Sequence, residues 1–140
     1  MKRNVWLTVH GEQQYEGMSA DSSDLRVRGT MEETRDGYLL RYEETDGDGK
    51  VTTATRLALA PDCIILTRTG EVTSEMAFAE GKEHTSFYAV SYGTLPVAVK
   101  AESVKWKLDE DGGMLALRYA ITIGGQRGKC ALRIRVRTEE

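Results

Sequence analysis

Alternation at period two runs through most of the chain and limits the fold more than any other feature. Leu115, Leu117, Tyr119, Ile121 and Ile123 lead into Cys130, Leu132, Ile134 and Val136, with mostly small or polar residues between them. Val5, Leu7 and Val9 keep the same rhythm, as do Leu25, Val27, Gly29 and Met31. Further on, Tyr38, Leu40, Tyr42 and Glu44 share one parity, followed by Val51, Thr53, Thr55, Leu57 and Leu59. Successive side chains of a strand point to opposite faces, so each run places one face on a core and the other in water.

Turn signals separate these runs. They fall at Asp36-Gly37, Asp46-Gly47-Asp48-Gly49, Thr69-Gly70, Glu80-Gly81, Tyr92-Gly93, Asp111-Gly112-Gly113 and Gly124-Gly125. Short glycine turns between alternating runs mark successive β-hairpins. With 14 glycines and 2 prolines, the chain is rich in tight turns and poor in strand breakers. The expectation is an all-β fold, a single antiparallel meander that removes its exposed edges by closing into a barrel of about eight to ten strands. The 140 residues suit one domain, 1–140.

Two segments fit less well. Glu12 to Asp24 is polar and lacks either period, and reads as a loop able to cover a barrel mouth. Val97 to Leu108 fits a helix through Val97, Ala101, Val104 and Leu108. It also fits a strand through Val104, Trp106 and Leu108. Pro96 and the Asp-Gly-Gly turn favour strands, with room for a helical turn near Ala101 to Ser103.

Composition excludes several classes. Acids exceed bases by only 3, so no global field draws the chain to nucleic acid or to an anionic membrane, and neither is an expected partner. Cys63 and Cys130 lie far apart in apolar runs, which is neither a disulfide framework nor a CxxC motif, and suits a reducing compartment. The first residues break off into polar ones too soon for a signal peptide, and no run reaches the roughly 18 apolar residues of a membrane helix. The expected location is cytoplasmic, and the expected state a monomer or homodimer.

Motifs that would carry chemistry are few. Glu44 to Thr55 holds Asp46, Asp48 and Gly49 in an EF-hand frame, but Glu44 and Thr55 replace the ligands at its two ends. A hairpin turn is the simpler reading. His10 and His84 stand in no zinc spacing, and His84 reads as a solvated side chain beside a turn or as a residue of a barrel mouth. No G-x-S-x-G elbow occurs, and Gly124 to Gly128 matches no phosphate-binding fingerprint. No cofactor, metal site or catalytic residue is therefore expected. Lys129, Arg133, Arg135 and Arg137 share one face of the last strand. Without interleaved aromatics, and with Glu33 and Glu43 offered as cross-strand partners, they read as solvated charge that discourages edge pairing.

An inward-facing polar set remains. If Leu40 and Tyr42 face the core, Glu44 does too, and Arg68 shares parity with Ile64 and Leu66. A buried charge is tolerable only when paired and hydrogen-bonded, which makes Glu44 and Arg68 expected partners holding neighbouring strands in register. Tyr42, Thr53, Thr55 and Tyr88 are their neutral neighbours. The candidate ligand-binding residues are Tyr42, Glu44, Arg68, Met76, Phe78 and Tyr88. Met76, Phe78 and Tyr88 would form apolar wall, and Arg68 would orient a carboxylate or phosphate.

The ordered segments "DGYLLRYEET", "TTATRLAL", "LTRTGEVTSEMAFAEG", "FYAVSYGTLPVAVKAESV" and "GGMLALRYAIT" together resemble the YwiB-like family of small bacterial proteins. Tyr42 with Glu43 and Glu44, the Arg68-x-Gly70 step, Met76 with Phe78, and Tyr92-Gly93 carry the likeness most sharply. It implies a calycin-like or lipocalin-like β-barrel and transfers no catalytic residue. Two functions follow as expectations. One is a binding module taking a small hydrophobic or amphipathic ligand in or at the barrel mouth. The other is a non-enzymatic interaction or regulatory protein with a filled barrel, working through its outer surface.

Overall fold

Each alternating run becomes a strand paired with its sequence neighbours, and the first strand pairs with the last. The computed structural model describes residues 2–139, and all ten regular elements among them are strands. They are β1 (Lys2–Tyr15), β2 (Asp21–Glu33), β3 (Tyr38–Thr45), β4 (Val51–Ala60) and β5 (Cys63–Gly70). Then follow β6 (Thr73–Phe78), β7 (Glu83–Val90), β8 (Gly93–Asp109), β9 (Gly112–Ile123) and β10 (Gln126–Thr138). β1 meets β10 antiparallel from Val5 opposite Thr138 to Tyr15 opposite Gly128, which closes an up-and-down barrel with no free edge. At Gly124 and Gly125 both φ angles are positive, 57° and 85°, the pair of conformations a two-residue hairpin turn needs.

The inward faces fill one end of the barrel. Val5, Leu7, Leu40, Leu57, Phe78 and Leu115 are among its fully buried side chains. That end is capped by Trp106, whose Nε1 donates to the Ala60 carbonyl at 2.7 Å and whose ring meets Tyr38 edge-on, centroids 6.1 Å apart. A buried indole needs such a partner, and here the bond ties β8 to the end of β4.

Both ambiguous segments are strand. Val97, Val99 and Ala101 point inward, and then a β-bulge between Ala101 and Ser103 moves the inward parity to Val104, Trp106 and Leu108. One extra residue breaks the period, which is why the segment also fits a helix. The Glu80 carboxylate secures the bulge by accepting from the Val104 N–H at 2.9 Å. Of the loop expected over Glu12 to Asp24, only residues 16–20 are loop. Glu12 to Tyr15 pair with β10, and Gln13 and Glu12 pair with Asp21 and Ser22 of β2. Glu12, Gln13 and Gln14 are exposed and only Tyr15 packs against the core, so no apolar alternation marks this hairpin.

The weakest seam lies between β6 and β7, which pair only at Thr73–Ala89 and Ser74–Tyr88. Beyond those rungs His84 fills the gap. It is half-buried at the filled end rather than at the mouth, and its Nδ1 accepts from the Ala77 N–H at 3.3 Å.

Candidate functional site

At the other end the barrel stays open, and a cavity of about 420 Å³ enters it. Val9, Leu25, Leu66 and Leu132 give it apolar wall, while Tyr42, Arg68, Tyr119 and Cys130 bring polar atoms into it. Glu12, Asp21, Asp24 and Glu44 also line it; all four are exposed, so it has an acidic rim.

Strand register places the site residues. Tyr42, Thr55, Arg68, Ser74 and Tyr88 lie opposite one another in turn across β3 to β7, forming one inward-facing row. Tyr42 is 5% exposed, Thr55 3% and Ser74 4%, whereas Arg68 is half-buried where the row meets the cavity. Glu44 belongs to the next row outward, with Thr53 and Gly70.

The expected Glu44–Arg68 pair is not formed. Among the described residues no carboxylate lies within 4.0 Å of the Arg68 guanidinium. β4 stands between their strands, so the two are not on neighbouring strands. Two strand spacings and a two-residue offset put their backbones roughly 12 Å apart. Glu44 is exposed at the rim. Beside Arg68 in the row, the Ser74 Oγ is buried with no hydrogen-bond partner.

Of the other sequence candidates, Met76 and Phe78 sit in the packed core below the cavity, and Tyr88 packs against that core. Tyr119 and Cys130 complete the cavity wall. Their inward parity is legible in the sequence, but their approach to Arg68 requires the sheet to curl shut. Tyr119 rests on Phe78, ring centroids 4.7 Å apart.

Burial pushes the Tyr119 and Tyr15 phenols above their ordinary value, with the nearby Cys130 thiol adding to it. Burial likewise raises Tyr42, against the opposing pull of the Arg68 charge and of Thr55. The Cys130 thiol is raised by burial and lowered by Tyr119. These groups are therefore neutral at neutral pH, leaving Arg68 as the one charged member of the inward-facing row, with Glu44 in the next row outward. A phenol held neutral by burial adds stability that is complete below its unfolded pKa and lost as pH rises through the folded one. Alkaline titration should thus weaken the barrel from pH 10.0 upward, and Tyr119→Phe should weaken less over that range. Equal losses in denaturant unfolding across pH would rule Tyr119 out as the source.

Elsewhere the motif residues serve local structure. Asp46 Oδ1 accepts from the backbone N–H groups of Asp48 and Lys50 at 2.9 and 3.0 Å, which spends that carboxylate on its own hairpin turn. Cys63 and Cys130 are free thiols. Among the described residues no group of three or more His, Cys, Asp or Glu is placed to hold a metal ion, and no helix is long and apolar enough to cross a membrane.

Among the described residues these features define a class, a closed ten-stranded antiparallel β-barrel packed at one end and open at the other. The chain belongs to the DUF1934 family, described as a domain of unknown function, whose model matches residues 7–134. It is 29% identical over 90 residues to the "Uncharacterized beta-barrel protein YwiB" of Bacillus subtilis (strain 168). That stretch covers 64% of this chain and spans only 61% of the relative's length. The crystal structure of YwiB from Bacillus subtilis matches with a TM-score of 0.80 at 19% identity, covering 96% of this chain and 92% of that one. At that identity the likeness establishes the fold.

Proposed function

We propose that the open end binds a small amphipathic molecule, with its carboxylate or phosphate against Arg68 and its apolar part against Leu66, Leu132 and Val9. The observation that carries this reading is a half-buried guanidinium in the cavity wall with no carboxylate partner among the described residues. A partly desolvated charge is costly unless it is compensated, and an anionic ligand would compensate it. The volume of about 420 Å³ falls within the usual range for small-molecule sites. Exposed Glu44 would accept from a donor group on the same molecule and keep larger polyanions away from the mouth. The calycin-like architecture that the family resemblance implies often holds hydrophobic ligands, which supports the same reading.

The test is native mass spectrometry of protein purified without denaturation, followed by titration with decanoate and with decanol. Retained mass lost on unfolding, or decanoate bound in preference to decanol, is the expected result. Arg68→Gln should weaken decanoate by about tenfold or more, as loss of a charge-assisted hydrogen bond does. Decanoate binding unchanged in Arg68→Gln would remove Arg68 from the site. Bare mass with neither probe bound would end the proposal.

A further inference from the structure

The arginine face of β10 changes character once its true neighbours are known. β10 lies between β1 and β9, so Glu33 and Glu43, on β2 and β3, do not stand opposite its arginines. Trp6 does: it faces Arg137 on one side and Arg28 on the other. Thr8 likewise lies between Arg135 and Arg26. The guanidinium carbons of Arg26 and Arg28 stand 4.6 and 4.9 Å from the Trp6 ring centroid. The row continues from Arg135 through Met114 of β9 to Lys107 of β8. An aromatic is therefore interleaved with the basic stripe after all, contributed by a strand more than a hundred residues away in sequence.

An open groove of about 1290 Å³ on the outer wall is lined by Trp6, Arg26, Met114, Arg135 and Arg137, with Asp111 and Glu139 also in its lining. Glu139 pairs with Arg28 at 3.3 Å. Among the described residues, Arg26, Arg133, Arg135, Arg137 and Lys107 have no carboxylate within 4.0 Å. All five are exposed. In a chain whose net charge is −3, that is a local concentration of unneutralised positive charge.

We infer that this groove is a docking surface for a single strand of nucleic acid, with phosphates on the arginines and a base stacked at Trp6. Three observations select this occupant. Arginine forks match phosphate oxygens, and most of the exposed cations here are arginines. The Trp6 ring, which two guanidinium groups already approach, is an aromatic platform on which a base can stack, whereas an acidic peptide has no use for it. The stripe is also bounded along the strands. Asp24 and Glu12 crowd His10 at one border, at 2.7 and 3.1 Å, and Asp109, Glu110 and Asp111 lie at the other. A narrow polyanion crossing the strands meets only Asp111 of these, which lines the groove itself, while a planar anionic bilayer would be held against them all. A duplex would need an element that enters a groove, and this wall is sheet. The groove lies on the outer wall and the Arg68 cavity inside the barrel, and the two share no lining residue, so either proposal can fail alone.

The experiment is fluorescence anisotropy of a labelled twelve-nucleotide oligo-uridine, and of oligo-thymidine, with the full chain at several salt concentrations. Both strands should bind at low salt and weaken steeply as salt rises. The double variant R135Q/R137Q, at exposed positions where folding should be unaffected, should bind about tenfold or more weakly and show a shallower salt slope. Trp6→Leu should bind several-fold more weakly with the slope kept, because stacking releases no counterions. Poly-glutamate of similar length should not compete at equal charge. Absence of oligonucleotide binding at low salt, affinity unchanged in R135Q/R137Q, or equal competition by poly-glutamate would each overturn the inference. So would binding of vesicles rich in anionic lipid in place of the oligonucleotides.

Discussion

Phe78→Ala should destabilise the barrel by about 3–5 kcal/mol, among the largest losses any single truncation here can produce. Phe78 is fully buried, lies opposite Ile64 on β5, and supports the Tyr119 ring from beneath. Its removal leaves a void between the packed end and the open cavity, and the strands opposite it, each paired on both sides, cannot collapse far to fill it. In urea unfolding the midpoint should fall by about 1 M or more with the slope kept. Phe78→Leu, which keeps most of the volume, should lose much less. A loss under about 1 kcal/mol for Phe78→Ala would show that the neighbourhood repacks. The place for that to happen is the β6–β7 seam, where only two residue pairs hold the strands together. The cavity itself should also respond. With Phe78 gone the floor under Tyr119 opens, so an apolar tail bound in the mouth should gain depth while its contact with Arg68 stays in place.

The strand pattern was legible because burial on one face leaves a period that sequence displays directly. Leu115 to Val136 reads as two inward-facing strands, and the structure has them so. The pattern fails where that cause is missing. Glu12 to Gln14 is strand with exposed side chains on both faces, and Val97 to Leu108 changes parity at a bulge. At Thr69-Gly70 the sequence suggests a turn, yet the chain turns at residues 71–72 and Gly70 still belongs to β5. The site was half legible for the same reason. Parity placed Tyr42, Glu44 and Arg68 on the inside, and all three line one cavity. Parity does not give strand adjacency, so Glu44 and Arg68 looked like partners although β4 separates them. Nor does it bring Tyr119 to Arg68 or Trp6 to Arg137, because those approaches exist only once β1 meets β10 and the sheet closes.

Gly70→Ala should cost roughly 2–5 kcal/mol, and the reason bears on how firmly Arg68 is held. Gly70 has φ of +130°, which side-chain-bearing residues rarely adopt. A Cβ there would stand 2.2 Å from the Thr52 carbonyl oxygen and 3.0 Å from the Thr53 Cα. Neither atom can swing aside, because both belong to the backbone of β4, and the same Thr52 oxygen accepts from the Glu71 N–H at 2.8 Å. Two other glycines separate the contributions. Gly17 has φ of +78° with nothing near its would-be Cβ, so Gly17→Ala should show strain alone, about 1–2 kcal/mol. Gly47 has neither positive φ nor a close neighbour, and Gly47→Ala should be neutral or slightly stabilising through the unfolded chain. Unfolding midpoints should therefore rank Gly70→Ala well below Gly17→Ala, with Gly47→Ala at or above the parent. A Gly70→Ala loss no larger than that of Gly17→Ala would mean that the end of β5 yields. A pliant β5 would carry Arg68, two residues earlier, on a movable support, and the cavity could not hold an anion at a fixed place. The full loss would mean that the backbone contact of β5 with β4 clamps the arginine where the ligand would meet it.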